Sequence, residues 1–379
     1  MRARDLGIVI GHGRPGPQNA ITDVSGVRVG HVTLIEGDGP LVVGVGPVRT
    51  GVTVVIPRSP GEWHEPVFAG CHRLNGNGEL TGLEWVRESG TLTTPIAITN
   101  THSVGVVRDA LVAVSIEHAG SRTTPWSLPV VGETYDGLLN DMDGFHVRPE
   151  HLRAALERAA SGPVSEGNVG GGTGMICHEF KGGIGTASRV LPPDQGGHIV
   201  GVLVQANHGK RDWLRVDGVP VGAEIGVESV ASPYGHGRPA TGARRPGSGS
   251  IIVVVATDAP LLPHQCERIA QRAGLGIARA GGTGGHTSGD LFIAFATGNR
   301  LPVDDEDRPG TLAYDVRAVG DGVIDALFDG VIEATEEAII NALVAAQTMV
   351  GRDGVTAHAI PHDRLLEVMA RYGRGSALA

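Results

Sequence analysis

The sequence predicts an α/β protein built from two β-sheets with helices on their outer sides. Two observations carry this. Short runs of Val and Ile recur between glycine turns, and in the C-terminal third they alternate with segments whose apolar residues repeat at helical spacing. Glycine contributes 59 of the 379 residues, roughly double the usual share of about 7%. Aromatic residues make up only 4%. Such a composition suits many tight turns and close backbone approaches around a core of Val, Ile, Leu and Ala.

Taken in order, residues 26–35 alternate as a half-buried strand should, and residues 51–57 and 95–101 are apolar strands. Residues 106–117, rich in Val and Ala, fit a buried helix. A helix begins at Pro149, where proline suits the first turn, and Leu152, Ala155, Leu156 and Ala159 mark its face. Residues 170–190 read as two strands with glycine turns, and residues 198–207 as a strand ending on Asn207. Residues 213–221 read as a further strand with a turn at Asp217-Gly218. Residues 232–249 are the least structured stretch. Then follow a strand from Ser250, a helix whose face carries Leu262, Cys266, Ile269 and Ala273, and a strand at residues 291–296. A long helix over residues 331–350 carries Ile332, Ile339, Leu343 and Ala346, and a last helix starts near Pro361. No tandem repeat is present, and the chain is expected to form one domain.

Charge and composition exclude several function classes. A net charge of −10 with no clustered Lys or Arg argues against nucleic acid as a partner. Three scattered cysteines, Cys71, Cys177 and Cys266, form no disulfide framework and suit a reducing compartment. With no signal-peptide pattern and no apolar run of membrane-spanning length, the expectation is a soluble cytoplasmic protein without a membrane partner. The glycine clusters at residues 170–174 and 281–285 lack the strand, helix and acidic residue of a dinucleotide site, and no Gly-Lys-Ser/Thr follows them. No cofactor is expected. Sixteen histidines contain no HExxH and no close pair on one helix, so no catalytic metal is expected either.

The most informative junction is Gly249-Ser250. The turn residues Arg245-Pro246-Gly247-Ser248-Gly249 break directly into Ser250-Ile251-Ile252-Val253-Val254-Val255. Self-cleaving N-terminal-nucleophile hydrolases place their nucleophile in this way: the hydroxyl attacks the preceding carbonyl, and the freed α-amine then serves as a base. Gly249 is expected to allow a strained backbone that exposes its carbonyl. Two other segments offer polar groups beside apolar strands. They are Gly132-Glu133-Thr134-Tyr135-Asp136 and Thr283-Gly284-Gly285-His286-Thr287-Ser288-Gly289-Asp290.

Together these residues resemble the DmpA-type aminopeptidases, the L-aminopeptidase/D-amidase-esterases and β-peptidyl aminopeptidases. The resemblance rests on the Gly-Ser-Gly-Ser run, Asp258-Ala259-Pro260-Leu261, residues 13–31, Gly132-Glu133-Thr134, Asn140-Asp141 and Gly171-Gly172-Thr173-Gly174-Met175. It spans nearly the whole chain. It implies a four-layer αββα sandwich, like the Ntn hydrolases in its layers but differently connected. It also implies self-cleavage into fragments 1–249 and 250–379 that stay associated, and a homo-oligomer, commonly a tetramer of such αβ pairs. The implied substrates are small peptides or aminoacyl amides and esters.

Carried over by residue, the resemblance makes Ser250 the nucleophile and Asn207 the oxyanion donor. Ser288 is placed as a hydrogen-bonding partner near Ser250, Asp290 as the group that orients Ser250 or its amine, and Glu133 as the carboxylate that holds the substrate ammonium. Tyr135 and Asn100 fall in the implied pocket. β-Peptidase relatives carry Glu where this chain has the shorter Asp290. Two other readings stay open: an acyltransferase of the ornithine-acetyltransferase type, which uses Thr as nucleophile, and a non-catalytic binding protein of the same fold.

Overall fold

A computed structural model describes residues 1–60, 62, 65–119, 126–235, 249–302 and 313–374. Its strands are β1 (Arg28–Glu36), β2 (Val48–Ile56), β3 (Val67–Arg73), β4 (Thr91–Leu92), β5 (Ile96–Asn100), β6 (Val130–Thr134), β7 (Ile176–Cys177), β8 (Phe180–Lys181), β9 (Gly183–Val190), β10 (Ile199–Asn207), β11 (Ser250–Thr257), β12 (Asp290–Ala296), β13 (Met349–Val350) and β14 (Thr356–Ala357). Its α-helices are α1 (Leu83–Ser89), α2 (Val104–Ala119), α3 (Pro149–Glu157), α4 (Val221–Glu224), α5 (Pro263–Arg279), α6 (Ile324–Ala345) and α7 (His362–Arg371).

Two sheets face each other. The first has the order β1-β2-β5-β6, and the second β4-β3-β12-β11-β10-β9. β5 runs parallel to β6, and β11 runs parallel to β12. The other pairings within the two sheets are antiparallel. Side-chain alternation explains the layers. On β11, Ile252, Val254 and Ala256 enter a core shared with Val55, Ile96, Ile98 and Val130 of the first sheet. Ile251, Val253 and Val255 point the other way, against Cys266, Ile269 and Ala273 of α5 and against α6. Val52, Val54, Ala97 and Val131 of the first sheet pack against Val107 and Leu111 of α2 and Leu152 and Ala155 of α3. The result is the four-layer αββα sandwich.

A strand buried on both faces has no polar side, which is why β11 reads as an unbroken apolar run. Each such Val or Ile is worth about 1.5–3 kcal/mol on burial. That fixes the position of whatever stands at the start of the strand. The sheets are also bolted together by a polar contact: the Gln205 side-chain amide on β10 donates to the Thr99 carbonyl (2.9 Å) and to Thr134 Oγ1 (2.8 Å). The glycines at 171 and 172 permit close backbone approach. A Cβ at Gly172 would lie 2.4 Å from the Ile184 nitrogen.

Several expectations need correction. Residues 213–221 do not form a strand. Arg211–Trp213 is a single 3-10 turn, and only a bridge between Val216 and Val219 flanks Asp217-Gly218. That turn is as expected, with both residues in the left-handed region. The long helix is α6, which starts at Ile324 and stops at Ala345; Met349 and Val350 instead pair with β14. α2 is buried on one face only, because Ile116 is exposed. Most of the unstructured stretch read at residues 232–249 lies outside the described residues. Among the described residues no helix is long and apolar enough to cross a membrane.

Candidate active site

β11 is an interior strand, and its first residue, Ser250, pairs in register with Asn207, the last residue of β10. The parallel neighbour β12 begins one register step along, with Asp290 opposite Ile251. Three strand ends therefore bring Ser250, Asn207 and Asp290 to one edge of the sandwich, all buried.

The Gly249-Ser250 peptide is held from two sides. Ser288 Oγ donates to the Gly249 carbonyl oxygen. The Gly289 N–H donates to Ser250 Oγ at 2.9 Å. Gly249 is absent from the left-handed glycines, so it is not needed for backbone strain as the sequence suggested. Its role is steric: a Cβ there would lie 1.7 Å from the Asn207 carbonyl oxygen. Only glycine lets the chain run this close to β10 before entering the sheet.

Asp290 Oδ1 lies 2.6 Å from Ser288 Oγ. Asp290 is further clamped by Asn75, whose Nδ2 donates to Asp290 Oδ2 (2.8 Å) and whose Oδ1 accepts from the Asp290 N–H (2.6 Å). Burial pushes the Asp290 carboxyl above its ordinary value, and the hydrogen bonds from Ser288 and Asn75 only partly offset this. The Ser288 hydroxyl has a single hydrogen but two acceptors within reach, Gly249 O and Asp290 Oδ1. Both contacts are hydrogen bonds at once only when Asp290 is protonated and donates to Ser288, which in turn donates to Gly249.

Asn207 is anchored at both ends of its amide. Oδ1 accepts from the Ile176 N–H (2.7 Å), and Nδ2 donates to the Tyr135 carbonyl (3.0 Å). Nδ2 carries a second hydrogen for another acceptor. Glu133, near the end of β6, is 3% exposed. Its Oε1 accepts from the Glu79 N–H at 3.1 Å, and its Oε2 from the Thr101 hydroxyl. It borders the same region as Ser250: a Cβ at Gly78 would lie 3.0 Å from Glu133 Oε1 and 3.1 Å from the Gly289 Cα.

Tyr135 contributes its main-chain carbonyl here, and its ring folds over Gly137. Asn100 is buried, with Nδ2 donating to Thr50 Oγ1 (2.7 Å) and Oδ1 accepting from the His102 N–H (3.1 Å). Thr50 lies on β2, and Asn100 also hydrogen-bonds the buried Asp136 carboxyl beside Tyr135. Sequence reading missed Asn75 and the Gly289 N–H. Asn75 sits in the turn-like run Leu74-Asn75-Gly76-Asn77-Gly78, 215 residues from its partner Asp290, and nothing local marks it.

Comparison with known proteins agrees with this architecture. A family model described as peptidase family S58 matches residues 19–357. The β-peptidyl aminopeptidase BapA of Sphingosinicella microcystinivorans is 50% identical, covering 99% of this chain and 93% of the relative. BapA of Sphingosinicella xenopeptidilytica is 47% identical over 98% and 92%. A Burkholderia sp. β-aminopeptidase structure superposes with a TM-score of 0.90 at 55% identity, covering 99% of this chain and 100% of that one. The L-aminopeptidase D-Ala-esterase/amidase of Ochrobactrum anthropi, described as a variant of the Ntn hydrolase fold, gives 0.88 at 46% identity over 99% of both chains. The chain belongs to peptidase family S58, is an aminopeptidase, and has that variant of the Ntn hydrolase fold.

Proposed function

We propose that this family S58 aminopeptidase cleaves its own chain between Gly249 and Ser250, then uses Ser250 to release small N-terminal residues from peptides, amides or esters. The observation that carries the reading is the doubly held Gly249-Ser250 peptide, with its carbonyl on Ser288 and its hydroxyl on the Gly289 N–H.

In self-cleavage, Ser250 Oγ attacks the Gly249 carbonyl carbon. The oxyanion that forms keeps the hydrogen bond from Ser288. As the C–N bond breaks, the Ser250 nitrogen gains the proton that Oγ loses. Water then hydrolyses the Gly249 ester, leaving the Gly249 carboxylate and a free Ser250 α-amine. Fragments 1–249 and 250–379 stay associated through the shared cores, and such pairs assemble further as a homo-oligomer, with light scattering as the check.

In turnover, the Ser250 amine takes the hydroxyl proton as Oγ attacks the substrate carbonyl. The second Asn207 Nδ2 hydrogen faces the new oxyanion. Glu133 receives the substrate ammonium, which selects for a free N-terminus, because a blocked one leaves a buried carboxylate unpaired. The proton passes to the leaving amine, and water hydrolyses the acyl-Ser250 ester. The names of the relatives favour β-amino acid residues among the substrates.

Intact mass and a substrate panel test the reading. Wild type is expected to yield two fragments that break at Gly249-Ser250, and Ser250→Ala a single inactive 379-residue chain. A wild-type chain that stays whole while hydrolysing β-Ala, Gly, L-Ala and D-Ala nitroanilides at full rate would overturn self-processing. The one-hydrogen argument at Ser288 adds a pH signature. Self-cleavage should slow as pH rises through the elevated Asp290 value, because the ionised carboxylate draws the Ser288 hydrogen away from Gly249.

A further inference from the structure

Beside the anchor of Asn207 lies a second cluster of chemically reactive side chains that the proposed reaction does not use. Cys177, His178 and His208 are all buried, and one potential ligand atom from each lies within 4.8 Å of the others. Cys177 Sγ and His208 Nδ1 are 3.9 Å apart. The two imidazole rings meet edge to face, with centroids 5.2 Å apart.

Three features point to a ligand. His178 Nδ1 donates to the Lys210 carbonyl at 2.9 Å, which leaves Nε2 as a bare lone pair. A second-shell bond of this kind is what orients metal-binding histidines. His178 Nε2 and His208 Nε2 are both buried without a hydrogen-bond partner, a costly arrangement for polar atoms in a protein interior. The third feature is the backbone. β7 and β8 form a hairpin whose two turn residues, His178 (φ 48°) and Glu179 (φ 62°), are both left-handed. Hairpin turns of this length ordinarily give those positions to Asn and Gly, so the side chains at 178 and 179 have a claim on the site. Glu179 is accounted for by the Arg211 N–H and the Ser232 hydroxyl. The His178 Nε2 is not.

We propose that Cys177, His178 and His208 form a binding site for one thiophilic divalent cation of the zinc type. A thiolate and two imidazoles are the donor set such ions prefer. Tetrahedral ligation requires donor separations of about 3.3–3.6 Å, so the cluster must contract by roughly an ångström at its widest. On binding, Cys177 releases its thiol proton to solvent as the metal–sulfur bond forms. The Lys181 ammonium, on the same hairpin and hydrogen-bonded to three carbonyls, lies near the resulting thiolate. Because Ile176 holds Asn207 and precedes Cys177, and His208 follows Asn207, the ion would brace the proposed oxyanion donor from both sides.

Full-length protein expressed in medium supplemented with Zn²⁺, and separately with Co²⁺, tests this after desalting. About one metal per chain is expected, with a thiolate-to-cobalt charge-transfer band in the near ultraviolet. Cys177→Ser should lose that band, and Cys71→Ser and Cys266→Ser should keep it. Zinc-edge absorption of the wild type should show one sulfur and at least two nitrogen scatterers, a readout that stands even if Cys177→Ser fails to fold. Wild-type protein with under a tenth of an equivalent of metal would overturn the site. So would a cobalt band that survives Cys177→Ser, or a zinc shell without sulfur.

Discussion

Glu333 and Glu337 on α6 and Asp290 on β12 are buried carboxylates packed on the same sheet, yet their surroundings are opposite in kind. Glu333 accepts from the His12 and Gly13 N–H groups and pairs with Arg189 at 2.9 Å. Glu337 pairs with Arg189 at 2.8 Å and Arg4 at 2.7 Å. Burial alone would raise both, but the hydrogen bonds and cationic partners more than offset it and hold both below the usual carboxylate range. Asp290 has no basic partner within ion-pair distance among the described residues. Only neutral donors reach it, and its carboxyl is held above the usual range. The glutamates fasten the N-terminal segment to the sheet. Asp290 is left without a compensating charge, and through Ser288 it adjoins the Gly249-Ser250 peptide, where we propose that the chain is cut. The compensated pair suits a structural role, and the uncompensated carboxyl suits the role proposed for Asp290.

The contrast can be broken by substitution, with stability read in a Ser250→Ala background so that every variant is a single chain. Glu337→Gln leaves Arg189 and Arg4 underpaired and is expected to cost about 3–5 kcal/mol in denaturant unfolding, the usual penalty for breaking a buried pair. A loss below 1 kcal/mol would mean that the network is not structural. In an otherwise wild-type chain, Ser288→Ala should slow fragment formation about 100- to 1000-fold and leave the melting temperature close to wild type. Near-normal cleavage would remove Ser288 as oxyanion donor.

Asn75→Ala should be milder, about 1–3 kcal/mol from the unpaired buried groups it leaves. It should also move the pH midpoint of self-cleavage upward, because one hydrogen bond favouring the carboxylate is lost. An unmoved midpoint would reduce Asn75 to packing. The smallest effect is the most diagnostic. Asp290 is raised on folding, so its contribution to stability is full below the unfolded value and lost as pH rises through the folded one. Above its unfolded value Asp290 therefore costs stability, and Asp290→Asn should melt slightly higher than its parent at neutral pH. Glu337 is lowered, so its contribution is present above the unfolded value and lost as pH falls through the folded one. Glu337→Gln should therefore melt lower than its parent at neutral pH. Shifts of the same sign would dissolve the distinction.

The periodicity of the chain carried most of the architecture. β11, β12 and α5 were legible because burial on two faces, or on one helical stripe, writes a regular apolar pattern. The strand expected at residues 213–221 failed because alternation there serves a turn, a bridge and a short helix that pack locally rather than a sheet. Ser250 was legible because a glycine-bearing turn breaks directly into a strand too apolar to be an edge, with the serine as its first residue. The roles proposed for Glu133, Asn207, Ser288 and Asp290 came only as a set, through the family resemblance.

By itself, the sequence determined most of the strands and helices, that Ser250 begins an interior strand, and that the position before it is glycine. These follow from local chemistry: side-chain periodicity, backbone freedom and charge. Tertiary structure decided why that glycine is needed, since the obstacle is the Asn207 carbonyl on a neighbouring strand. It also decided that Asn75 clamps Asp290, that one Ser288 hydrogen has two acceptors, and that Cys177, His178 and His208 converge. Each of these depends on distances between residues far apart in the chain, and only the packing of the two sheets sets them.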